Sequence, residues 1–275
     1  MVRSKWLWVG VVCWGTALAG TAVRAADEAA LWRLWSRQQA RPDDHAAHAA
    51  AYGEFAAARP DDPLAPLAGT LAAWHYLKAD RSAEAQEWLE RYDRTARAPT
   101  ARGASRLARA WLTRLDREKV VAALDVYRTR EVRFPDRLDR LPAHAAVTRA
   151  GLQPPLEDRW GQSWVYQLEA MRALTGLTGQ RYTLESRRLG DTSDLGKALA
   201  APYGDRVRLD VVRVLAAGRS PSVQLVHPED PEAPIVLTPG AQHENIRLEY
   251  VGEHLVILHD DLHWNLLRVP GAAPR

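Results

Sequence analysis

The sequence predicts an α+β protein in which helices come first along the chain and strands follow. Residues 26–100 are rich in alanine and repeat apolar side chains at helical spacing. One apolar stripe then runs from Leu107 to Tyr127. After Phe134-Pro135, glycine and proline separate short runs of strand-forming residues. We therefore expect helical hairpins, then a long helix packed on a small antiparallel sheet, and then a small C-terminal β domain.

The chain has 275 residues, which is enough for two or three domains at about 100–200 residues each. Changes in composition predict the division, which is a leader (1–25), a helical region (26–100), an α+β domain (104–205) and a small β domain (206–275). The stretch 98–103 contains Pro99 and Gly103 and is interpreted as a linker.

The leader has the organisation of a secretory signal peptide. Arg3 and Lys5 form a positive start, an uncharged apolar run follows, and Val23-Arg24-Ala25 is a small-x-small cleavage signature. The alternative is an uncleaved anchor, because Trp6 to Val23 carries no charge and a membrane span needs about 17–25 residues. The expected location is therefore the periplasm or another exported compartment, with an inner-membrane anchor if the leader is retained.

Short helical hairpins are predicted in the region 26–100. One helix carries apolar residues at i, i+3, i+4 and i+7, namely Ala85, Trp88, Leu89 and Tyr92. The region resembles tetratricopeptide repeats, because Tyr52 precedes Pro60 by eight residues, as the aromatic of that family precedes its closing proline. The resemblance covers one complete unit and fragments of others.

The long helix with the stripe Leu107 to Tyr127 is expected to end before Phe134-Pro135, since the residue before a proline disfavours helical backbone. Beyond it, alternation and turn residues predict eight strands. These are 163–168, 182–185, 207–214, 223–226, 235–237, 246–250, 255–258 and 264–269.

The string Asp158-x-Trp160-Gly161-x-x-Trp164-x-Tyr166 is the most specific motif in the chain. Asp158 can accept hydrogen bonds from nearby backbone N–H groups in an Asx-type turn, and Gly161 can take a positive φ. Trp164 and Tyr166 are two residues apart on a strand, so they share one face and can receive the long helix. We expect these two aromatics and Trp160 to pack against the helix that carries Trp111, Leu115 and Leu124.

This string, the preceding helix and the following Gly179-x-x-Tyr182-Thr183-Leu184-Glu185-Ser186 segment occur in one order. The arrangement resembles the C-terminal domain of the major pseudopilin of type II secretion systems over about residues 104–200. The resemblance implies a long helix on a small antiparallel sheet. The chain departs from the family at its start, because Gly10, Gly15 and Gly20 lack the Phe and acid of a prepilin-peptidase signal. A filament subunit is therefore not the expected role.

The same resemblance implies a calcium loop after the Tyr-x-Leu-x-Ser segment. The matching positions are Ser186 and Asp191, and Asp194 lies nearby. Hard oxygen ligands of this kind suit calcium. Thr192 replaces the glycine of the family pattern, and Arg187-Arg188 add positive charge. The alternative is a capped loop that leads into a short helix at 195–200.

The C-terminal region is similar to small β domains of periplasmic inner-membrane components of type II secretion and type IV pilus assembly. The similarity consists of the rhythm of strand, Pro239-Gly240 turn, strand and hairpin. It implies the same envelope machinery as the first resemblance.

Two pairs of histidines have metal-ligand spacing. His259 and His263 lie between two predicted strands, so we expect them in a polar turn where they do not converge. His45 and His48 lie near a predicted helix start beside Asp43-Asp44 and are expected to be solvated.

The net charge of the chain does not favour a nucleic-acid-binding protein. Three of the 37 Lys and Arg residues lie in the leader, and the remaining 34 balance 34 acidic residues. With a single Cys there is no disulfide framework, and no phosphate loop, dinucleotide fingerprint or Gly-x-Ser-x-Gly motif is present.

These observations predict an exported, non-enzymatic protein-interaction component without a certain cofactor. Its expected partners are envelope proteins of a secretion or pilus apparatus, and it would contact the membrane only through an uncleaved leader. The alternative is an exported hydrolase whose site is assembled from scattered carboxylates and histidines.

Overall fold

A computed structural model describes residues 27–93, 99–172, 178–203, 209–215 and 221–271. These residues form seven α-helices and small antiparallel sheets, with six of the helices before the first strand. The predicted α+β class is therefore confirmed. The predicted leader lies outside the described residues. Within the described part of the chain, every helix is too short or too polar to cross a membrane.

Four helices form the N-terminal region. Their bounds are Glu28–Ala40 (α1), His45–Ala58 (α2), Ala65–Lys78 (α3) and Ser82–Tyr92 (α4). Each helix packs on the next one in the chain. Helix α3 is buried on most of its surface, which explains why its residues are apolar nearly all round. Helical hairpins are thus present as predicted, and the tetratricopeptide resemblance stays a prediction.

Helix α5 runs from Pro99 to Glu131 and has 33 residues. The predicted linker at 98–103 is wrong from residue 99 onward, because these residues form the first turns of this helix. A proline is tolerated at the first helical position, where its missing N–H would have no helical partner. Gly103 is needed because a Cβ there would lie 2.7 Å from the ring of Trp264. The glycine therefore marks a close approach between the helix and a C-terminal strand, not a flexible joint.

Helix α5 contributes to three buried clusters in succession. Its first part joins α1–α3 and C-terminal strands through Ala104 and Leu107. Its middle part packs against α3, α4 and the short helix α7, Leu195–Ala200. Its last part covers a two-stranded sheet. The residues of these last two parts are Ala108, Trp111, Leu112, Leu115, Val120, Ala123, Leu124 and Tyr127.

The two-stranded sheet pairs β1 (Val165–Arg172) with β2 (Thr178–Glu185) in antiparallel register, Val165 opposite Glu185. Between α5 and β1 lie a 3-10 turn at Leu138–Arg140 and the short helix α6, Ala145–Arg149. A second 3-10 turn, Gly190–Ser193, precedes α7. A long helix on a small antiparallel sheet is therefore observed where the sequence predicts it.

Seven further strands form two C-terminal sheets. The first has the order β3-β4-β5 and the second β6-β7-β8-β9. Their bounds are Asp210–Leu215 (β3), Ser222–His227 (β4), Asp230–Leu237 (β5), Gln242–His243 (β6), Ile246–Val251 (β7), Leu255–His259 (β8) and Trp264–Arg268 (β9). All predicted strands are present, and only the two-residue β6 was not anticipated, because so short a segment has no measurable alternation.

Strand β8 is buried on both faces. Leu255 and Ile257 pack against the N-terminal helices, whereas Val256 and Leu258 pack against the three-stranded sheet. Successive side chains of a strand point to opposite faces, so one strand serves two cores. The four-stranded sheet is therefore the middle layer between the helices and the outer sheet.

A buried carboxylate joins the beginning of α1 to the turn between β7 and β8. Glu28 Oε1 accepts hydrogen bonds from Tyr250 Oη (2.6 Å) and Glu253 N (3.2 Å). Its Oε2 accepts from His254 N (2.7 Å) and Leu255 N (3.0 Å). A carboxylate has acceptor sites for all four donors at once. The start of the helical region is thereby fixed to the C-terminal sheet.

We predict that Glu28→Gln lowers the free energy of unfolding by about 1–3 kcal/mol, because the amide NH₂ would face backbone donors that it cannot accept from. Urea denaturation at neutral pH measures the change. Glu54→Gln is the control, since Glu54 is exposed on α2. Equal stability of the two variants would show that the four bonds do not hold the helix to the sheet.

Candidate functional site

The string around Asp158 forms the turn that its sequence predicts. Asp158 is buried, and its Oδ1 accepts hydrogen bonds from Trp160 N (2.9 Å) and Gln162 N (3.0 Å). Gly161 has a φ of 72°, which disfavours any residue with a Cβ. The Asx-type turn is therefore confirmed. Asp158 Oδ2 also accepts from Ser186 Oγ at 2.7 Å, a contact that ties the turn to the end of β2.

Trp164 and Tyr166 pack where the last part of α5 crosses the sheet. Trp164 is buried together with Val120 and Leu124, and Tyr166 is partly buried against the same cluster. The indole Nε1 of Trp164 donates to Pro155 O at 2.9 Å, and Tyr166 Oη donates to Pro135 O at 2.8 Å. Both aromatics thus combine an apolar body with a satisfied polar atom.

The prediction that the aromatics of the Asp158 string pack against Trp111, Leu115 and Leu124 is wrong in part. Trp111 and Leu115 belong to the middle cluster of α5, with α3, α4 and α7, and not to the cluster of Trp164. The reason is the length of the helix, which carries these residues away from β1. Trp160 is half-buried, and the guanidinium carbon of Arg188 lies 5.1 Å from its ring centre. Trp160 therefore covers a surface turn.

Two residues of the predicted calcium loop, Ser186 and Asp194, are bonded to separate partners. Ser186 bonds to Asp158, as described above, and its N–H donates to Ser193 Oγ at 2.9 Å. Asp194 Oδ1 caps α7 by accepting from Lys197 N at 2.9 Å, and its Oδ2 lies 3.1 Å from Arg117 Nη1. Asp191 is exposed. These contacts favour the capped loop that the sequence left as the alternative.

The surroundings of the loop offer a cation no net negative charge. Asp191, Asp194 and Glu185 line a cavity of about 250 Å³, and Arg117, Arg181 and Lys197 line the same cavity. In the described part of the chain, no three His, Cys, Asp or Glu side chains form a group that could hold a metal ion. Calcium binding stays a prediction from the resemblance, without support from this geometry.

His259 and His263 lie on either side of the turn between β8 and β9, as predicted. His259 Nε2 lies 2.9 Å from Glu249 Oε1, and Arg106 pairs with the same carboxylate. His263 instead faces the ring of Tyr203, with ring centres 4.3 Å apart. The two histidines therefore contact different partners. Glu249 and His259 are 1% and 3% exposed, so this carboxylate–histidine pair belongs to the core.

His48 is not solvated, so the prediction is wrong for this residue, and His45 is only partly exposed. His48 is 2% exposed, and its Nε2 lies 2.7 Å from Arg41 O. His45 Nδ1 lies 3.1 Å from Nδ1 of His75, a fully buried residue of α3. His75 was not predicted from the sequence. Its burial could have been predicted, because His75 lies in a helix that is apolar nearly all round, and the few polar residues of such a helix are buried with the rest.

An open groove adjoins the Trp164 strand and is the candidate functional site. It encloses about 430 Å³, which is within the range of ligand pockets. Three segments line it, namely residues 136–139, residues 156–157, and Ser163 with Trp164 and Tyr166. Leu156 is 39% exposed, so the groove presents an apolar side chain to solvent. Sequence reasoning found the aromatic string but not the groove, because residues 136–139 come from a distant turn.

Comparison with known proteins adds no relative. No protein-family model matches the chain, and neither a curated protein nor a solved structure does. The pseudopilin and tetratricopeptide resemblances therefore rest on the residues quoted for them.

We predict that acid destabilises the fold through His75. Burial, followed by the charges of His48, His45 and Lys78, lowers the pKa of His75 to about 2. In the unfolded chain the pKa is about 6.5, so the unfolded state gains a proton first as the pH falls. The stability contributed by neutral His75 is therefore present above pH 6.5 and is lost progressively below it. The contribution of His75 should make the free energy of unfolding, measured with urea, about 2 kcal/mol lower at pH 5.0 than at pH 7.5.

The test variant is His75→Gln, which does not titrate. The pH dependence should be smaller in this variant than in the wild type. The same pH dependence in His75→Gln as in the wild type would contradict the assignment.

We predict that Trp164→Ala costs roughly 3–5 kcal/mol of stability, because it leaves a cavity beneath α5. Trp160→Ala is the matched control and should cost less, since Trp160 is only half-buried. Thermal and urea unfolding of both variants test this. An unchanged melting temperature of Trp164→Ala would mean that the aromatic is an exposed binding residue and not part of the core.

Proposed function

We propose that this protein is an exported, non-enzymatic interaction component of a type II secretion or type IV pilus-like envelope system. The observation that carries the proposal is the groove beside the Asp158 turn, which is open, partly apolar and placed on the segment that resembles a pseudopilin domain. Leu156 in this groove is exposed although it is a large apolar residue. An exposed apolar side chain within a groove favours a contact with another protein.

The rest of the molecule supports the groove as a rigid platform. Residues 163–164 lead into β1. Helix α5 packs against Trp164 and Tyr166 in one buried cluster. The turn that carries Asp158 is held by buried hydrogen bonds. A site on such a scaffold keeps its shape when a partner approaches, which reduces the entropic cost of binding.

The hydrolase alternative receives less support. Its closest carboxylate–histidine pair, Glu249 and His259 at 2.9 Å, is buried, and Arg106 also pairs with this carboxylate. Neither residue lines the groove. A general base must reach its substrate, so this pair would need an opening of the core to act.

The experiment is site-specific photo-crosslinking in the native envelope. Leu156→benzoylphenylalanine places the crosslinker in the groove, and Val236→benzoylphenylalanine places it on β5, where Val236 is 56% exposed. We expect adducts with secretion or pilus components from position 156 only, identified by mass spectrometry. If position 156 gives no such adduct, or if both positions give the same ones, the proposal is wrong.

A further inference from the structure

Resting on the proposed function, we infer that the groove binds an extended basic segment of the partner protein. A lysine or arginine of that segment would lie among the groove acids, and a neighbouring apolar residue would contact Leu156. Three observations lead to this occupant, namely the charge of the lining, the exposure of its ion pairs and the open edge of β1.

The lining carries more negative than positive charge. Asp136, Asp139 and Glu157 are acidic, and Arg137 is the basic residue among the side chains that line this groove. In the described part of the chain Glu157 has no ion-pair partner, and it is exposed. A cationic side chain therefore gains a complementary field here, whereas an acidic one is repelled.

The existing ion pairs in the wall do not oppose such a ligand. Arg137 lies 2.5 Å from Asp139, and Arg140 lies 3.1 Å from Asp136. All four side chains are about half or more exposed. The exposed fraction is 75% for Arg137, 48% for Asp139, 52% for Arg140 and 65% for Asp136. Exposed pairs of this kind contribute about 0–1 kcal/mol, so a ligand cation can replace one at small cost.

The main chain at the groove suits an extended segment. Strand β1 pairs with β2, and the sheet that they form has two strands among the described residues. The neighbouring hairpin closes with a single bridge between Glu157 and Ser163. Along residues 165–172 the second edge of β1 pairs with no other strand among the described residues, and Tyr166 of this strand lines the groove. Such an edge offers main-chain hydrogen bonds, while alternate side chains provide specificity.

The chemistry of the lining decides between this occupant and others. An acidic peptide would meet three carboxylates, and an uncharged apolar ligand would leave Glu157 without an ion-pair partner. A small organic cation would satisfy the charge but not the open strand edge. The observations thus favour a polypeptide with a basic residue next to an apolar one.

The test is fluorescence anisotropy with the full chain. The probe is a labelled short peptide that alternates lysine with valine, and the comparison is the same peptide with glutamate in place of lysine. We expect saturable, salt-sensitive binding of the lysine peptide and none of the glutamate peptide. Glu157→Lys should weaken binding about tenfold or more. The matched control Glu232→Lys, on an exposed residue of β5, should leave it unchanged.

Asp139→Lys is the second variant, in case Glu157→Lys disturbs the turn, and melting curves check that each variant is folded. Equal binding of both peptides, no saturable binding, or equal effects of Glu157→Lys and Glu232→Lys would overturn the inference. The crosslinking from Leu156 separates this result from the proposed function. If envelope adducts persist while the lysine peptide fails to bind, the basic occupant is wrong and the interaction role stands.

Discussion

The packing of helix α5 is the constraint on which the rest of the structure depends. At 1.5 Å per residue, its 33 residues extend about 50 Å. Over that length it contacts three sets of partners in turn. The first is α1–α3 with the C-terminal strands, the second is α3, α4 and α7, and the third is the β1–β2 sheet. Most of the stability of a helix in a protein comes from tertiary packing, so these contacts hold α5 in place. Each neighbouring unit is in turn positioned by the part of α5 that it covers.

The sequence predicts those parts of the fold that depend on neighbours in the chain. The strands β8 and β9 follow from apolar runs on either side of a polar turn, and the turn at Asp158 follows from three residues that bond to one another. The groove is different, because residues 136–139 and Leu156 meet Trp164 only after α5 has placed the sheet. Half of the candidate site, its aromatic string, was therefore predictable and its acidic wall was not.

Polar residues were misassigned where their partners come from far along the chain. His45 and His48 lie in the first turn of α2, a place typical of exposed residues, yet His75 contacts them from the next helix. Asp194 has the chemistry of a calcium ligand, but Arg117 of α5 neutralises it. The pattern of neighbouring residues predicts where a side chain lies on a helix or strand. Only the tertiary packing decides whether it meets water, a cation or another side chain.

The contact between Glu28 and the β7–β8 turn joins residues that are 222 to 227 positions apart. During synthesis, the first helix leaves the ribosome long before the backbone donors of this turn exist. The apolar faces of α1–α3 that later meet β8 and β9 stay uncovered for the same interval. Non-local closure of this kind slows folding and lengthens exposure to aggregation. Completion of the fold therefore depends on the last strands, and a chain that ends before residue 255 lacks the strands β8 and β9 that cover α1–α3.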